Sequence, residues 1–174
     1  MGLHEQQNQA KEFVKTIVIA VMIALFVRMF VLEIYLVDGT SMYPTLDDNE
    51  YLFVNKFIYR FREPRVDEII VFKFAGDEEK DFVKRIIAIG GQTVEIKNGQ
   101  VLVDGKPRYE PYIAEQTLGH YGPVTVPEGK YFVLGDNRNH SSDSRFPQVG
   151  FINPEAIEGK AFFVFWPLSS MKKL

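Results

Sequence analysis

The chain contains no cysteine. Disulfides, thiolate nucleophiles and cysteine-bound metals are therefore excluded, while an oxidising compartment stays open to a fold that needs no crosslink. Histidine is scarce, and His4, His120 and His140 show none of the spacing of a helical zinc site, so neither metal nor other cofactor is expected. No basic run exceeds the pairs Lys84-Arg85 and Lys172-Lys173, and the net charge is -3, which argues against nucleic acid as a partner. Internal repeats and low-complexity tracts are missing. So is any signal for a helix of ten or more residues after Val37. The length of 174 residues suffices for a short tail, one membrane segment and one domain with a real core.

What is present begins with an apolar stretch from Phe13 to Val37, interrupted only by Lys15, Thr16, Arg28 and Glu33. Its unbroken part, Ile17 to Val27, falls short of the roughly 20 residues that cross a bilayer. As one helix, however, the whole stretch would reach about 37 Å. Lys15 and Glu33 lie near its ends and can snorkel to the interfaces, whereas Arg28 sits deeper and needs a partner or a long reach to headgroups. No small-x-small site follows the apolar core, so an uncleaved signal anchor is expected rather than a removed leader. A buried helix of a soluble domain is the other reading. Lys11 and Lys15 precede the stretch and no cation follows it until Lys56, which orients the N-terminus to the cytoplasm. The expected layout is a cytoplasmic tail over residues 1–12, a transmembrane helix over 13–37 and an extracytoplasmic domain over 38–174.

That domain reads as strands. Runs rich in branched and aromatic residues occur at Tyr51 to Val54, Glu68 to Phe74, Phe82 to Ile89, Val124 to Val126, Tyr131 to Leu134 and Ala161 to Trp166. Val94 to Lys97 and Gln100 to Val103 flank Asn98-Gly99, a type I′ hairpin signal. The expectation is a mostly β fold, a closed or partly closed antiparallel sheet on a helical stalk. The aromatic run ending at Trp166 is expected to be a core strand, with a membrane-interface role for Trp166 as the alternative.

Three segments can carry chemistry. Four residues after Val37 comes Ser41, in the loop Gly39-Thr40-Ser41-Met42-Tyr43-Pro44-Thr45-Leu46. Gly39 allows a tight backbone, Pro44 fixes the chain, and such a loop can present a hydroxyl while aiming N–H groups at an oxyanion. Four extended residues span at most about 14 Å, so Ser41 works close to wherever the apolar stretch ends. On a strand through Phe82 to Ile89, Lys84 shares a face with Phe82 and Ile86. A free lysine, with a pKa of about 10.4, is neutral in about one molecule in a thousand near pH 7.4, but desolvation lowers that value and makes a competent general base. An edge strand protected by its cations is the competing explanation. Gly135 to Arg145 combines Asp, Arg, Ser, Asn and His without one hydrocarbon side chain. It suits either a solvated loop or a hydrogen-bonded scaffold, and it would also permit a His140–Asp143–serine triad.

Together and in this order, the segments resemble the type I signal peptidases, membrane-bound Ser/Lys proteases. The resemblance rests on Ser-Met-x-Pro-Thr-Leu at Ser41 to Leu46, Val-Lys-Arg-Ile-Ile at Val83 to Ile87, and Gly-Asp-Asn-Arg-x-x-Ser-x-Asp-Ser-Arg at Gly135 to Arg145. The single-pass layout is similar to the Gram-positive form, and the implied fold is signal peptidase/LexA-like. By this resemblance Ser41 is the nucleophile and Lys84 the general base. Ser141 orients the Lys84 amine, Asp143 and Arg145 pair to support the loop, and the Ser41 N–H donates to the oxyanion. Gly39 stands where some relatives carry a serine hydroxyl, so that second donor is missing. Val37, Met42, Leu46, Phe82 and Val83 would line shallow pockets for the small residues of Ala-x-Ala sites. Gln92 stands where many relatives have Asp. The implied substrates are exported preproteins, cut at the bacterial plasma membrane near the secretion translocase and the lipid bilayer.

Two rivals remain on sequence. A self-cleaving repressor-type Ser/Lys protease would carry a DNA-binding helical domain where this chain has an apolar stretch. A membrane-tethered β-rich binding module, or an inactive homologue, would have no use for Ser41, Lys84 and Ser141 together.

Overall fold

In the computed structural model, which describes residues 11–23, 25, 31–77 and 79–174, residues 11–23 are helical and the next element is a strand. This strand, β1 (Leu32–Leu36), pairs antiparallel with β2 (Tyr51–Asn55), from Leu32↔Asn55 to Leu36↔Tyr51. The expected helix through Val37 is thereby corrected. Leu32 to Leu36 is apolar enough to look like the end of a membrane helix, but β2 satisfies the backbone groups along its inner edge and Lys56 holds Glu33 in an ion pair at 2.8 Å. Arg28 lies outside the described residues. Among the described residues no helix is long and apolar enough to cross a membrane.

Every ladder is antiparallel. The larger sheet continues through β3 (Ile69–Lys73), β4 (Asp81–Ile89), β9 (Tyr131–Leu134), β10 (Ile157–Trp166) and β11 (Lys172–Lys173), in the order β1-β2-β10-β3-β4-β9 with β11 beside β10. The smaller sheet joins β5 (Thr93–Lys97), β6 (Gln100–Val103), β7 (Lys106–Pro107) and β8 (Tyr121–Thr125) in the order β7-β6-β5-β8. The larger sheet is open, ending at β1 and β9. The β5–β6 hairpin turns at Asn98 (φ 52°) and Gly99 (φ 79°), both left-handed as a type I′ turn requires. Gln92 serves the neighbouring turn, accepting from Ile89 N at 3.0 Å and donating to Asp104 Oδ2 at 3.2 Å.

Strand β3 is covered on both faces, so Ile69 to Phe72 is an unbroken buried run. Ile69 and Val71 point into a core with Val37, Met42, Leu46, Leu52 and Val164, while Ile70 and Phe72 point into a second core with Ile86, Val133 and Ile152. The smaller sheet closes a third, around Phe132, Val94 and Val101. Within β10, Ala161 and Val164 are buried and Phe165 stacks on Phe53 with centroids 4.2 Å apart. Trp166, at the strand's end, is exposed.

Candidate active site

Residues 37–50 leave β1 and fold back to enter β2. The ends of this loop are tied by Val37 N donating to Glu50 O at 2.8 Å and Asn49 N to Val37 O at 2.9 Å. Gly39 takes φ +95°, a value that favours glycine, and its N–H donates to Asp48 Oδ1 at 2.7 Å. Met42 and Leu46, at 1% and 0% exposure, pin the loop into the first core. From the other side Asn137 N donates to Ser41 O at 3.1 Å and Asn137 Nδ2 to Thr40 O at 3.0 Å. Ser41 is thus held from below and from the flank, and among the described residues its own N–H has no hydrogen-bond partner.

Lys84 lies on β4 opposite fully buried Ile70 and is only 4% exposed. Its Nζ donates to Ser41 Oγ at 2.8 Å and to Val83 O at 2.8 Å, and stands 5.1 Å from the centroid of the Phe82 ring. Burial pushes the Lys84 ammonium down to about 8, against the opposing pull of the Asp143 and Asp136 charges. No carboxylate pairs with it directly among the described residues. Physics therefore leaves a buried amine beside a hydroxyl, poised to lose its proton near neutral pH.

The polar third segment is a scaffold around this pair. Asp143 accepts from Gly135 N at 3.0 Å and from Arg145 Nε and Nη2 at 2.7 and 2.8 Å. Arg145 also donates to Arg138 O at 2.6 Å, and fully buried Arg138 grips Glu110 with two bonds of 2.7 and 2.8 Å. Asp143 is occupied by these donors, and no His140–Asp143 hydrogen bond forms among the described residues. On the opposite face of β4 from Lys84, Arg85 donates to both Asp136 oxygens at 2.9 and 2.6 Å and lies 3.9 Å from the centroid of Tyr112, while Thr45 donates to the same carboxylate. Sequence reasoning placed Asp136 inside a motif but gave no role to it, to Arg85 as its partner, or to Thr45, Glu110 and Tyr112. Nothing in the sequence marks Glu110 as the partner of Arg138.

Ser141 departs from expectation. Its Oγ is buried without a hydrogen-bond partner among the described residues, and the Lys84 donors go to Ser41 and Val83 instead. The hydroxyl is nevertheless close. A Cβ added to Gly135 would collide with both Ser141 Oγ and the Ser41 carbonyl, so the bare glycine is what lets the third segment approach the Ser41 loop.

A cleft of about 260 Å³ opens beside Ser41 and Lys84, lined also by Tyr35, Leu36, Val37, Asp38, Phe82 and Val83. Of the residues expected to bind substrate, Val37, Phe82 and Val83 line this cleft. Met42 and Leu46 do not line it; they are spent on anchoring the loop beneath. Tyr35, Leu36 and Asp81 line it without having been anticipated, because on sequence the expected helix extends through β1 and the second run begins at Phe82. Among the described residues no cluster of His, Asp and Glu is placed to hold a metal.

Comparison with known proteins converges on one family. Residues 10–166 match the family model described as signal peptidase, peptidase S26. A signal peptidase I of Bacillus amyloliquefaciens is 44% identical over 99% of this chain and 93% of its own length. One from Bacillus licheniformis is 42% identical over 97% and 95%. The crystal structure of a signal peptidase I from Enterococcus faecalis superposes with a TM-score of 0.51 at 32% identity, covering 57% of this chain and 97% of that one. With matches over nearly its whole length, this chain belongs to the signal peptidase family, peptidase S26, and is a peptidase.

Proposed function

We propose that this peptidase removes signal peptides from exported preproteins, with Ser41 as nucleophile and Lys84 as general base. The observation that carries the reading is the 2.8 Å contact between Lys84 Nζ and Ser41 Oγ, made by an amine that burial has pushed down to about 8. Neutral Lys84 accepts the Ser41 proton as Oγ attacks the scissile carbonyl, and the Ser41 N–H donates to the oxyanion that forms. The resulting ammonium then protonates the leaving amine, and a water deprotonated by the same lysine releases the acyl group. Gly39 adds no side-chain donor, and its N–H is already committed to Asp48. In this reading the Ser141 hydroxyl takes up the Lys84 amine when the proton moves; what supports it is that this hydroxyl is buried without a partner among the described residues and lies, like the Ser41 carbonyl, against Gly135.

The substrate lies extended in the cleft. Among the described residues the outer edge of β1 is unpaired, and β4 is unpaired on its β9 side from Asp81 to Lys84, because β9 joins only at Arg85. A chain entering between them gains backbone hydrogen bonds from both sides. The walls at Val37, Phe82 and Val83 suit small side chains of the Ala-x-Ala kind. The apolar residues preceding β1 anchor the enzyme in the plasma membrane with a cytoplasmic N-terminus, near the translocase that delivers its substrates. With β1 starting at Leu32, that anchor ends by about Val31 instead of Val37. Incubation of the detergent-solubilised protein with a signal-bearing precursor tests the reading: wild type cuts at one site and Ser41→Ala leaves the precursor intact. Equal cleavage by both ends the assignment.

A further inference from the structure

The cleft has apolar walls and an acidic far end. Ser41 and Lys84 line it together with Tyr35 and Asp81, and Asp81 stands three residues before Lys84 along β4. Asp81 makes no ion pair among the described residues, although Lys73, Glu33 and Lys56 all act on it. Both of those lysines are engaged elsewhere, Lys56 with Glu33 at 2.8 Å and Lys73 with Glu158 at 3.9 Å. Glu33 also accepts from Tyr35 Oη at 3.2 Å. Three carboxylates thus face two ammonium groups, and the carboxylate left over is the one in the cleft.

The geometry also says which part of a substrate meets it. Followed backwards from the cleft, β1 runs from Leu36 to Leu32 and on towards the N-terminal helix. The Glu33–Tyr35–Asp81 end is therefore the one from which the chain leads back to its apolar N-terminus, and a signal peptide inserted beside that segment reaches the nucleophile from the same side. Residues upstream of the scissile bond occupy this end. With the scissile residue level with Lys84, the residue three positions further upstream lies about 10 Å along β4, level with Asp81.

We infer that Asp81 makes this peptidase read the charge of the fourth residue upstream of the scissile bond, favouring lysine or arginine there and disfavouring aspartate or glutamate. The inference rests on the proposed peptidase reading, and it names a selectivity beyond the small residues nearest the cut. Asp81 is partly solvated, so the discrimination has the size of a partly screened charge pair, about two- to fivefold.

The test uses the full-length protein in detergent and peptides spanning a small-x-small site, with Lys, Gln or Glu at the fourth upstream position. For wild type, kcat/KM for the Lys peptide exceeds that for the Glu peptide by about two- to fivefold, and the ratio shrinks at high salt. The ratio falls to near one in Asp81→Asn and inverts in Asp81→Lys. Asp38→Asn, which removes the other cleft carboxylate, leaves the ratio above one. An Asp81→Asn ratio equal to that of wild type, or a collapse in Asp38→Asn alone, overturns the inference. Should wild type cut none of the peptides, the peptidase reading fails separately. Binding of the same peptides to Ser41→Ala and Ser41→Ala/Asp81→Asn then decides the point: tighter Lys binding lost with Asp81 upholds it, and equal affinities in the first variant overturn it.

Discussion

Two cations sit side by side on β4 and have opposite fates. Arg85 is chelated by both oxygens of Asp136, with Tyr112 against its guanidinium. Lys84, one residue earlier and on the other face, is buried with only a hydroxyl and a carbonyl for company. Buried charges are tolerated when paired, and an unpaired one shifts its pKa until neutrality becomes accessible. The scaffold of this site therefore keeps its charges fixed by pairing them: Arg85 with Asp136, Arg138 with Glu110, Arg145 with Asp143. Lys84, the group proposed to move a proton, is left alone.

Replacing each member of the comparison with methionine separates the two roles most sharply. Lys84→Met removes the proposed base and is expected to lower kcat/KM on a precursor by about 10²–10⁴-fold, measured by gel-resolved cleavage. Arg85→Met strands Asp136 as an uncompensated buried charge. It should cost about 3–5 kcal/mol in denaturant unfolding, with activity falling only as far as the folded fraction does. If Lys84→Met were the less stable of the two, the contrast would be wrong.

Gly135→Ala probes the contact between scaffold and nucleophile loop. The new methyl meets Ser141 Oγ and the Ser41 carbonyl, so the Ser41 loop must shift. Displacement of about 1 Å at a reacting group costs about 100-fold in rate, here expected with a stability loss of only about 1–3 kcal/mol. The readout is kcat at a temperature where circular dichroism shows the variant fully folded.

The pH dependence reports the unpaired lysine directly. In the proposed mechanism neutral Lys84 is the active form, so kcat/KM should rise with pH as a single ionisation near 8, the value to which burial pushes it. At pH 7.4 about one molecule in five is then competent, against about one in a thousand for an unshifted lysine. A profile flat from pH 6 to 10 would remove Lys84 from the mechanism. Stability carries the same signature with smaller amplitude. The folded-state value lies below the ordinary 10.5, so the unfolded chain binds the extra proton. Wild-type stability therefore rises relative to Lys84→Met as pH goes from about 8 to 10.5, and Lys84→Met is the more stable by about 1 kcal/mol near neutrality.

Much of this was legible in the chain. Strands β2 to β6 and β9 follow from short branched and aromatic runs. The Asn98-Gly99 hairpin follows from a turn chemistry that few other dipeptides satisfy. Strand β1 was not legible, because Leu32 to Leu36 continues an apolar stretch and nothing local distinguishes the end of a membrane helix from an edge strand until β2 is there to pair with it. Met42 and Leu46 misled for a related reason. An apolar side chain beside a nucleophile fits a substrate pocket or a loop anchor equally well, and only burial decides. The lining role of Asp81 was hidden because a lone acidic residue before a strand looks like a solvated flank.

The sequence by itself determined the mostly β architecture and the three segments from which the roles of Ser41 and Lys84 are proposed, because strand periodicity, turn chemistry and the absence of cysteine are local or compositional facts. The tertiary structure alone decided how close those segments come. Ser41 and Lys84 are 43 residues apart, and Arg85 and Asp136 are 51 apart. Whether two such groups meet, and whether a cation ends up paired or alone, depends on how the sheet folds the intervening chain. In this molecule that distinction separates the charge that holds the site from the charge proposed to work in it.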